Sequence, residues 1–113
     1  MKLKNEFQQI REWANERGIY EKGDVKTQFI KLTEEVGELS RAILKEDEDE
    51  MIDAIGDIVI VLTNLTHLAK LYKDNATKTA WENVTIEDCI NSAYSVIAKR
   101  TGKMENGTFV KNS

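Results

Sequence analysis

Leu3, Phe7, Ile10 and Trp13-Ala14 recur at helical spacing and predict a first helix from about Leu3 to Glu16. Gly18, then Gly23-Asp24, interrupt it. A second helix is expected from about Thr27 to Lys45, where Phe29, Leu32, Val36, Leu39 and Ile43 alternate steps of three and four along one face. The acidic run Glu46 to Glu50 follows and suits a helix start, because carboxylates favour the positive end of a helix dipole. A third helix is predicted from about Glu48 to Leu71, with Ile52, Ile55, Val59, Leu62 and Ala69 as its main apolar stripe. Lys73 to Asn83 reads as a polar loop or frayed helix around Trp81. Thr85, with Glu87 and Asp88 in the first turn, caps a fourth helix that is expected to end near Arg100, with Gly102 as its C-terminal cap.

At about 100° per residue, the third helix is apolar on more than one side. Ile60 and Val61 leave the main stripe, so beyond Ile58 almost the whole circumference is apolar. Such a helix is buried on several sides, as a central helix, an oligomer interface, or both. Glu50, Asp53 and Asp57 share a narrow sector opposite the main stripe and continue toward Ile60, Val61 and Asn64, so this acidic stripe runs into buried surface. On the second helix, Glu35 and Glu38 are neighbours one turn apart and share a side with Gln28 and Lys31, whereas Glu34 points to solvent. Gly37 and Gly56 sit inside the two acidic clusters, where close approach by a helix or ligand would offset the roughly 1 kcal/mol a helical glycine costs.

Composition narrows the class. The chain has 113 residues, 32% of them charged and 41% hydrophobic, with no proline and a net charge of -4. It reads as one all-α domain, helical over residues 1–102 with a polar tail at 103–113 that forms an arm or is partly disordered. The acidic balance argues against nucleic acid as a partner. The longest nearly uncharged run, Ile58 to Leu65, is short for a membrane span, and no apolar signal core opens the chain. A single cysteine, Cys89, suits a reducing compartment, so a cytoplasmic location is expected.

If the two acidic clusters meet across the second and third helices, their charges need compensation. Two carboxylates about 5 Å apart repel by roughly 3 kcal/mol at an effective dielectric near 20. Oxygen-only ligands select Mg²⁺, or Mn²⁺, and favour metal-assisted hydrolysis of a phosphate ester or anhydride. The acidic run lacks EF-hand spacing, and His67 lacks the preceding glutamate of a di-iron motif. Zinc would lack cysteine and histidine ligands, and no glycine-rich phosphate loop occurs.

The segments Lys31-Leu-Thr-Glu-Glu35-Val-Gly-Glu38-Leu and Glu50-Met-Ile-Asp53-Ala-Ile-Gly-Asp57-Ile-Val-Ile-Val-Leu resemble the MazG-like nucleoside triphosphate pyrophosphohydrolases. These belong to the all-α pyrophosphatase group that also holds dimeric dUTPases and phosphoribosyl-ATP pyrophosphohydrolases. The likeness extends loosely to Trp13, Gln28 and Lys31 and to Arg100-Thr-Gly-Lys-Met. It implies a four-helix, oligomeric bundle that cleaves the α–β bond of a nucleotide to a monophosphate and pyrophosphate. In the family, Glu-x-x-Glu and Glu-x-x-Asp hold Mg²⁺, and Glu35 and Glu38 match the first pair. For the second pair, Glu50-x-x-Asp53 fits the letters after a short spacer. Alignment on Gly56-Asp57 instead leaves Ala54 at the glutamate position, with Asp53 as its substitute.

Expected substrate contacts are Lys31, Lys99, Arg100 and Lys103 for phosphate, Asn64 for sugar or base, and Trp13 for stacking. Trp13 also reads as core, the C-terminal cations as complements of the helix dipole, and His67 and Cys89 as structural groups. The apolar surround of Ile58 to Leu62 predicts a homodimer or homotetramer. Rival readings are a non-catalytic helical interaction protein and a specialised dUTPase-like or alarmone hydrolase.

Overall fold

A computed structural model describes residues 5–71 and 83–112. Within them lie α1 (Glu6–Glu16), α2 (Ile19–Lys22), α3 (Val25–Leu44), α4 (Glu48–Leu68), α5 (Ile86–Ile97), β1 (Gly102–Glu105) and β2 (Thr108–Lys111). The four long helices are those the periodicity predicts, and the chain is mostly helical, as an all-α protein. The expected start at Leu3 and the stretch around Trp81 fall outside the described residues.

Helix starts follow side-chain chemistry. Asn5 and Gln8 form a reciprocal capping box on α1, and Thr85 and Asp88 form one on α5. Asp24 accepts from the Thr27 amide at 2.8 Å and starts α3 two residues earlier than the apolar pattern alone suggests. Asp47 accepts from the Glu50 amide at 3.1 Å, so the acidic run becomes the N-cap and first turn of α4. Between α3 and α4 the Asp47 amide donates to the Ala42 carbonyl and the Glu46 amide to the Ile43 carbonyl, a Schellman closure. Glu46 holds its left-handed position at φ 57° without being glycine.

Helix ends depart from expectation. α4 stops at Leu68, where Lys70 turns left-handed at φ 52°, and α5 stops at Ile97. Gly102 is therefore no helix cap but the first residue of β1. The tail is an antiparallel hairpin in which Glu105 faces Thr108 across a two-residue Asn106-Gly107 turn, both with positive φ.

α4 is central. It packs along α3 and also meets α1, α2 and α5. Tyr20 on α2 donates its hydroxyl to Asn64 Oδ1 at 2.8 Å and stacks on His67 with ring centroids 3.8 Å apart. Arg11 on α1 grips Glu87 on α5 through two hydrogen bonds of 2.7 Å. By length and hydropathy α4 also meets the measure of a membrane-crossing helix, although Asp53 and Asp57 lie within it.

The stripes are assigned differently from the sequence expectation. The side of α4 that turns inward is the one carrying the acids, with Ala54, Val61 and Asn64 buried and Asp57 half-buried. In the first half of α4 the main apolar stripe turns outward, with Ile52 70% exposed and Ile55 and Val59 also exposed, whereas further along the same side Leu62 is half-buried and Thr63 and Thr66 are buried. On α3, Phe29, Val36 and Ile43 are likewise exposed, while Leu32 and Leu39 are half-buried.

Candidate functional site

Two cavities lie along α3 and α4. The larger, of about 690 Å³, is lined by Ile10 and Trp13 from α1, Lys31 and Glu35 from α3, and Asp57, Ile60 and Val61 from α4, with Glu6 and Gln9 at its edge. The smaller, of about 350 Å³, is lined by Glu38, Arg41, Lys45, Glu50, Asp53 and Ala54. One is mostly apolar with charged groups among its lining, the other mostly polar. The candidate acids are shared between them: Glu35 and Asp57 line the first, Glu38, Glu50 and Asp53 the second.

The acids interact across this divide. Burial, followed by the charges of Glu38 and Asp57 and a hydrogen bond shared with the Glu38 carboxyl, holds the Glu35 carboxyl above the ordinary carboxylate range, against a weaker pull from Lys31. Burial, then the charges of Asp53 and Glu38, raises Asp57 in the same way. Glu35 Oε2 is buried and has no hydrogen-bond partner. A buried carboxylate oxygen without a donor is costly and calls for a proton or a cation. Among the described residues, no three acidic, histidine or cysteine side chains are gathered tightly enough to hold a metal ion as they stand. The donor set nevertheless fits a hard divalent ion, being carboxylate oxygens on successive turns of two packed helices with one oxygen left unmatched.

Other predicted residues are placed unequally. Trp13 is 44% exposed, lines the larger cavity and lies under the Arg17 guanidinium at 5.4 Å from the ring centroid, so it is not core. Lys31 lines the same cavity. Asn64 is drawn inward, 3% exposed, with its side-chain oxygen taken by Tyr20, and lines neither cavity. Lys99, Arg100 and Lys103 are exposed on the last turn after α5 and on β1, away from both cavities' linings, and Lys103 pairs with Glu105 at 3.3 Å. His67 lies in the Tyr20 stack, where burial and the Arg11 charge lower its pKa, and Cys89 is free and half-buried. A Cβ on Gly37 would meet Arg41 at an ordinary 3.5 Å and one on Gly56 would meet nothing within 4 Å, so no close approach inside the chain requires either glycine.

Sequence reasoning passed over Arg41, Lys45, Gln9 and Ile10. Arg41 was findable, since it stands one turn beyond Glu38 on the same helix side. Gln9 and Ile10 were not, because only the packing of α1 on α4 brings them to the acids.

An all-α protein with paired carboxylates on two packed helices beside an apolar cavity is thus the class defined by fold and site. The chain belongs to the family of the MazG nucleotide pyrophosphohydrolase domain, whose family model matches residues 24–105. That membership implies nucleotide pyrophosphohydrolase activity at the level of the family. The chain is also similar to an uncharacterized 18.2 kDa protein from the rep–hol intergenic region of Haemophilus phage HP1 (strain HP1c1), 38% identical over 63 residues. That match covers 56% of this chain and 39% of the phage protein's length. No solved structure matches the chain significantly.

Proposed function

We propose that the protein is a Mg²⁺-dependent nucleoside triphosphate pyrophosphohydrolase that releases a monophosphate and pyrophosphate by cleaving the α–β bond. The observation that carries this reading is the partnerless buried oxygen of Glu35, set among the mutually repelling Glu38 and Asp57. Glu35, Glu38, Asp57 and Asp53 are the residues that would hold Mg²⁺, with Glu50 at the margin. The ion would supply charge neutralisation at the phosphates and a lowered pKa for the attacking water. The chain's own groups do the rest. Trp13, Ile10, Ile60 and Val61 offer an apolar seat for a base, and Lys31 stands where that seat meets the acids. Arg41 and Lys45 face the polar cavity, placed to receive phosphate charge. Glu35, whose carboxyl is held above its usual range as suits a general base, or Glu38 beside it takes the proton from the attacking water.

We also infer that the protein works in the cytoplasm, binding neither nucleic acid nor membrane, and as a homo-oligomer. What supports assembly is the core: among the described residues the buried apolar side chains are Ala14, Ala42, Ala54 and Val61, while the larger ones on α3, α4 and α5 are exposed. The test is a panel of nucleoside triphosphates with Mg²⁺, with products identified. Glu38→Gln is expected to abolish pyrophosphate release while leaving the circular dichroism spectrum unchanged. Full turnover in that variant would remove this assignment.

A further inference from the structure

Resting on the nucleotide-site reading above, we propose that Arg11 and Tyr20 are positioning residues for the base seat. Arg11 through Glu87, and Tyr20 through Asn64 and His67, fix how α1 is turned about its axis and so bring Trp13 and Ile10 to the wall of the larger cavity.

α1 has a modest apolar hold on the rest of the chain. Its one buried residue is Ala14, while Phe7 and Ile10 are half-buried. Apolar contact is non-directional, and a side chain as small as alanine interlocks with little, so this hold leaves the roll of α1 open. At about 100° per residue, Trp13 and Arg11 lie about 160° apart around the helix, with Ala14 on the arc between them. Ala14 is therefore a pivot. The flank with Trp13 and Gln9 lines the cavity, and the flank with Arg11 meets α5.

A small roll matters. A turn of about 30° carries a side chain about 5–6 Å from the axis through roughly 3 Å, enough to unseat a stacked ring. The Arg17 guanidinium, 5.4 Å from the ring centroid, occupies one face of Trp13 and leaves the other for a base.

Polar bonds supply the missing direction. The Arg11 guanidinium donates to both carboxylate oxygens of Glu87, each at 2.7 Å, a bidentate pair that fixes angle as well as distance. The Asn5 side-chain amide reaches the same carboxylate at 3.5 Å. Glu87 is a firm anchor, because it lies in the first turn of α5 between the capping partners Thr85 and Asp88. After α1, Gly18 at φ 78° leads into α2, which has no side-chain cap and no buried residue. What holds α2 is Tyr20, bonded to Asn64 at 2.8 Å and stacked on His67 with ring planes 20° apart. Both partners stand on α4, the helix that gives the cavity Asp57, Ile60 and Val61. A polar network whose members are paired specifies one arrangement. None of Arg11, Tyr20, Asn64, His67 and Glu87 lines either cavity, so the network acts on substrate only through α1.

Kinetics on two substrates test this. Base–aromatic stacking is worth roughly five- to a hundredfold in binding, so Arg11→Ala and Tyr20→Leu are each expected to raise KM for a nucleoside triphosphate about tenfold, with kcat within about twofold of wild type. The reversed pair Arg11→Glu, Glu87→Arg should bring KM back to within about threefold of wild type. Tyr20→Phe, which keeps the His67 stack, should fall between wild type and Tyr20→Leu. Ribose 5-triphosphate carries no base, so its kcat/KM should move by less than about twofold in every variant. An unmoved KM in Arg11→Ala, an equal loss on ribose 5-triphosphate, or no recovery in a reversed pair of wild-type helical circular dichroism overturns the proposal. Trp13 reports the same event without catalysis, being the sole tryptophan in a Trp81→Phe background. Its quenching by acrylamide should change in Arg11→Ala and return in the reversed pair; quenching indifferent to Arg11 and Tyr20 also overturns the proposal. A quenching response in a protein that hydrolyses no nucleoside triphosphate would instead fault the enzymatic reading and leave the control of α1 standing.

Discussion

Glu35 shows how one side chain joins stability to function. Its carboxyl binds a proton more tightly in the folded protein than in the unfolded chain, and so does that of Asp57. For such groups the stabilising contribution is fully present below the ordinary carboxylate pKa, about 4, and is lost as pH rises through the raised folded value. These two acids therefore make the metal-free protein less stable near neutrality than in mild acid. Glu87 acts oppositely. Its bond to Arg11 lowers its pKa against an opposing push from burial, so its contribution is present above the ordinary range and lost as pH falls through the lowered value. Glu35→Gln is expected to raise the metal-free Tm at neutral pH and to erase the Tm increase that Mg²⁺ gives the wild type. Thermal melts with and without Mg²⁺ decide it, and a lower metal-free Tm in the variant would contradict the burial argument. The wild-type increase should reach about 2.7 kcal/mol of stabilisation when Mg²⁺ stands at one hundred times its dissociation constant.

Caps and turns set the element scale. Glu46 occupies a left-handed position that an L side chain adopts at a cost of about 1 kcal/mol. Glu46→Gly should therefore raise stability by up to that amount, read as a higher urea midpoint with an unchanged slope. In the hairpin, a Cβ on Gly102 would strike the Val110 carbonyl oxygen and the Phe109 ring. Gly102→Ala is expected to open the hairpin, seen as lost amide-exchange protection at residues 102–111 while α3 and α4 keep theirs. Much at this scale was legible in the chain itself: the apolar periods of the long helices, the Thr85 cap and the acidic first turn of α4 are local chemistry. The hairpin was also written there. Asn106-Gly107 is the dipeptide a tight reversal with two positive φ angles demands, whereas the polar composition around it suggests only an arm or partial disorder. The short α2 had no such local mark, since its four residues are held by Tyr20 reaching Asn64 and His67 on a helix far along the chain.

At the scale of the whole molecule, α4 is a central helix whose two faces serve different neighbours. Its acidic side looks inward to α3 and the cavities, and its Ile52, Ile55 and Val59 side looks out. A substitution on the outward side separates assembly from folding: Ile55→Asp should leave α3 and α4 helical but lower the oligomer mass by light scattering. If the mass and stability both stay at wild-type values, that stripe is not an interface.

The sequence by itself determined that the four long stretches are helical and that Glu35, Glu38, Asp53 and Asp57 lie on helix faces able to meet, because period, capping and turn chemistry act within a few residues. Only the tertiary structure decided which apolar stripe turns inward, that Trp13 lines a cavity while Asn64 is consumed by Tyr20, and that Arg41 and Lys45 share the cavity of Glu38. Those outcomes depend on how helices rotate against one another to bury surface, a choice made by all of them together that no single helix's pattern contains.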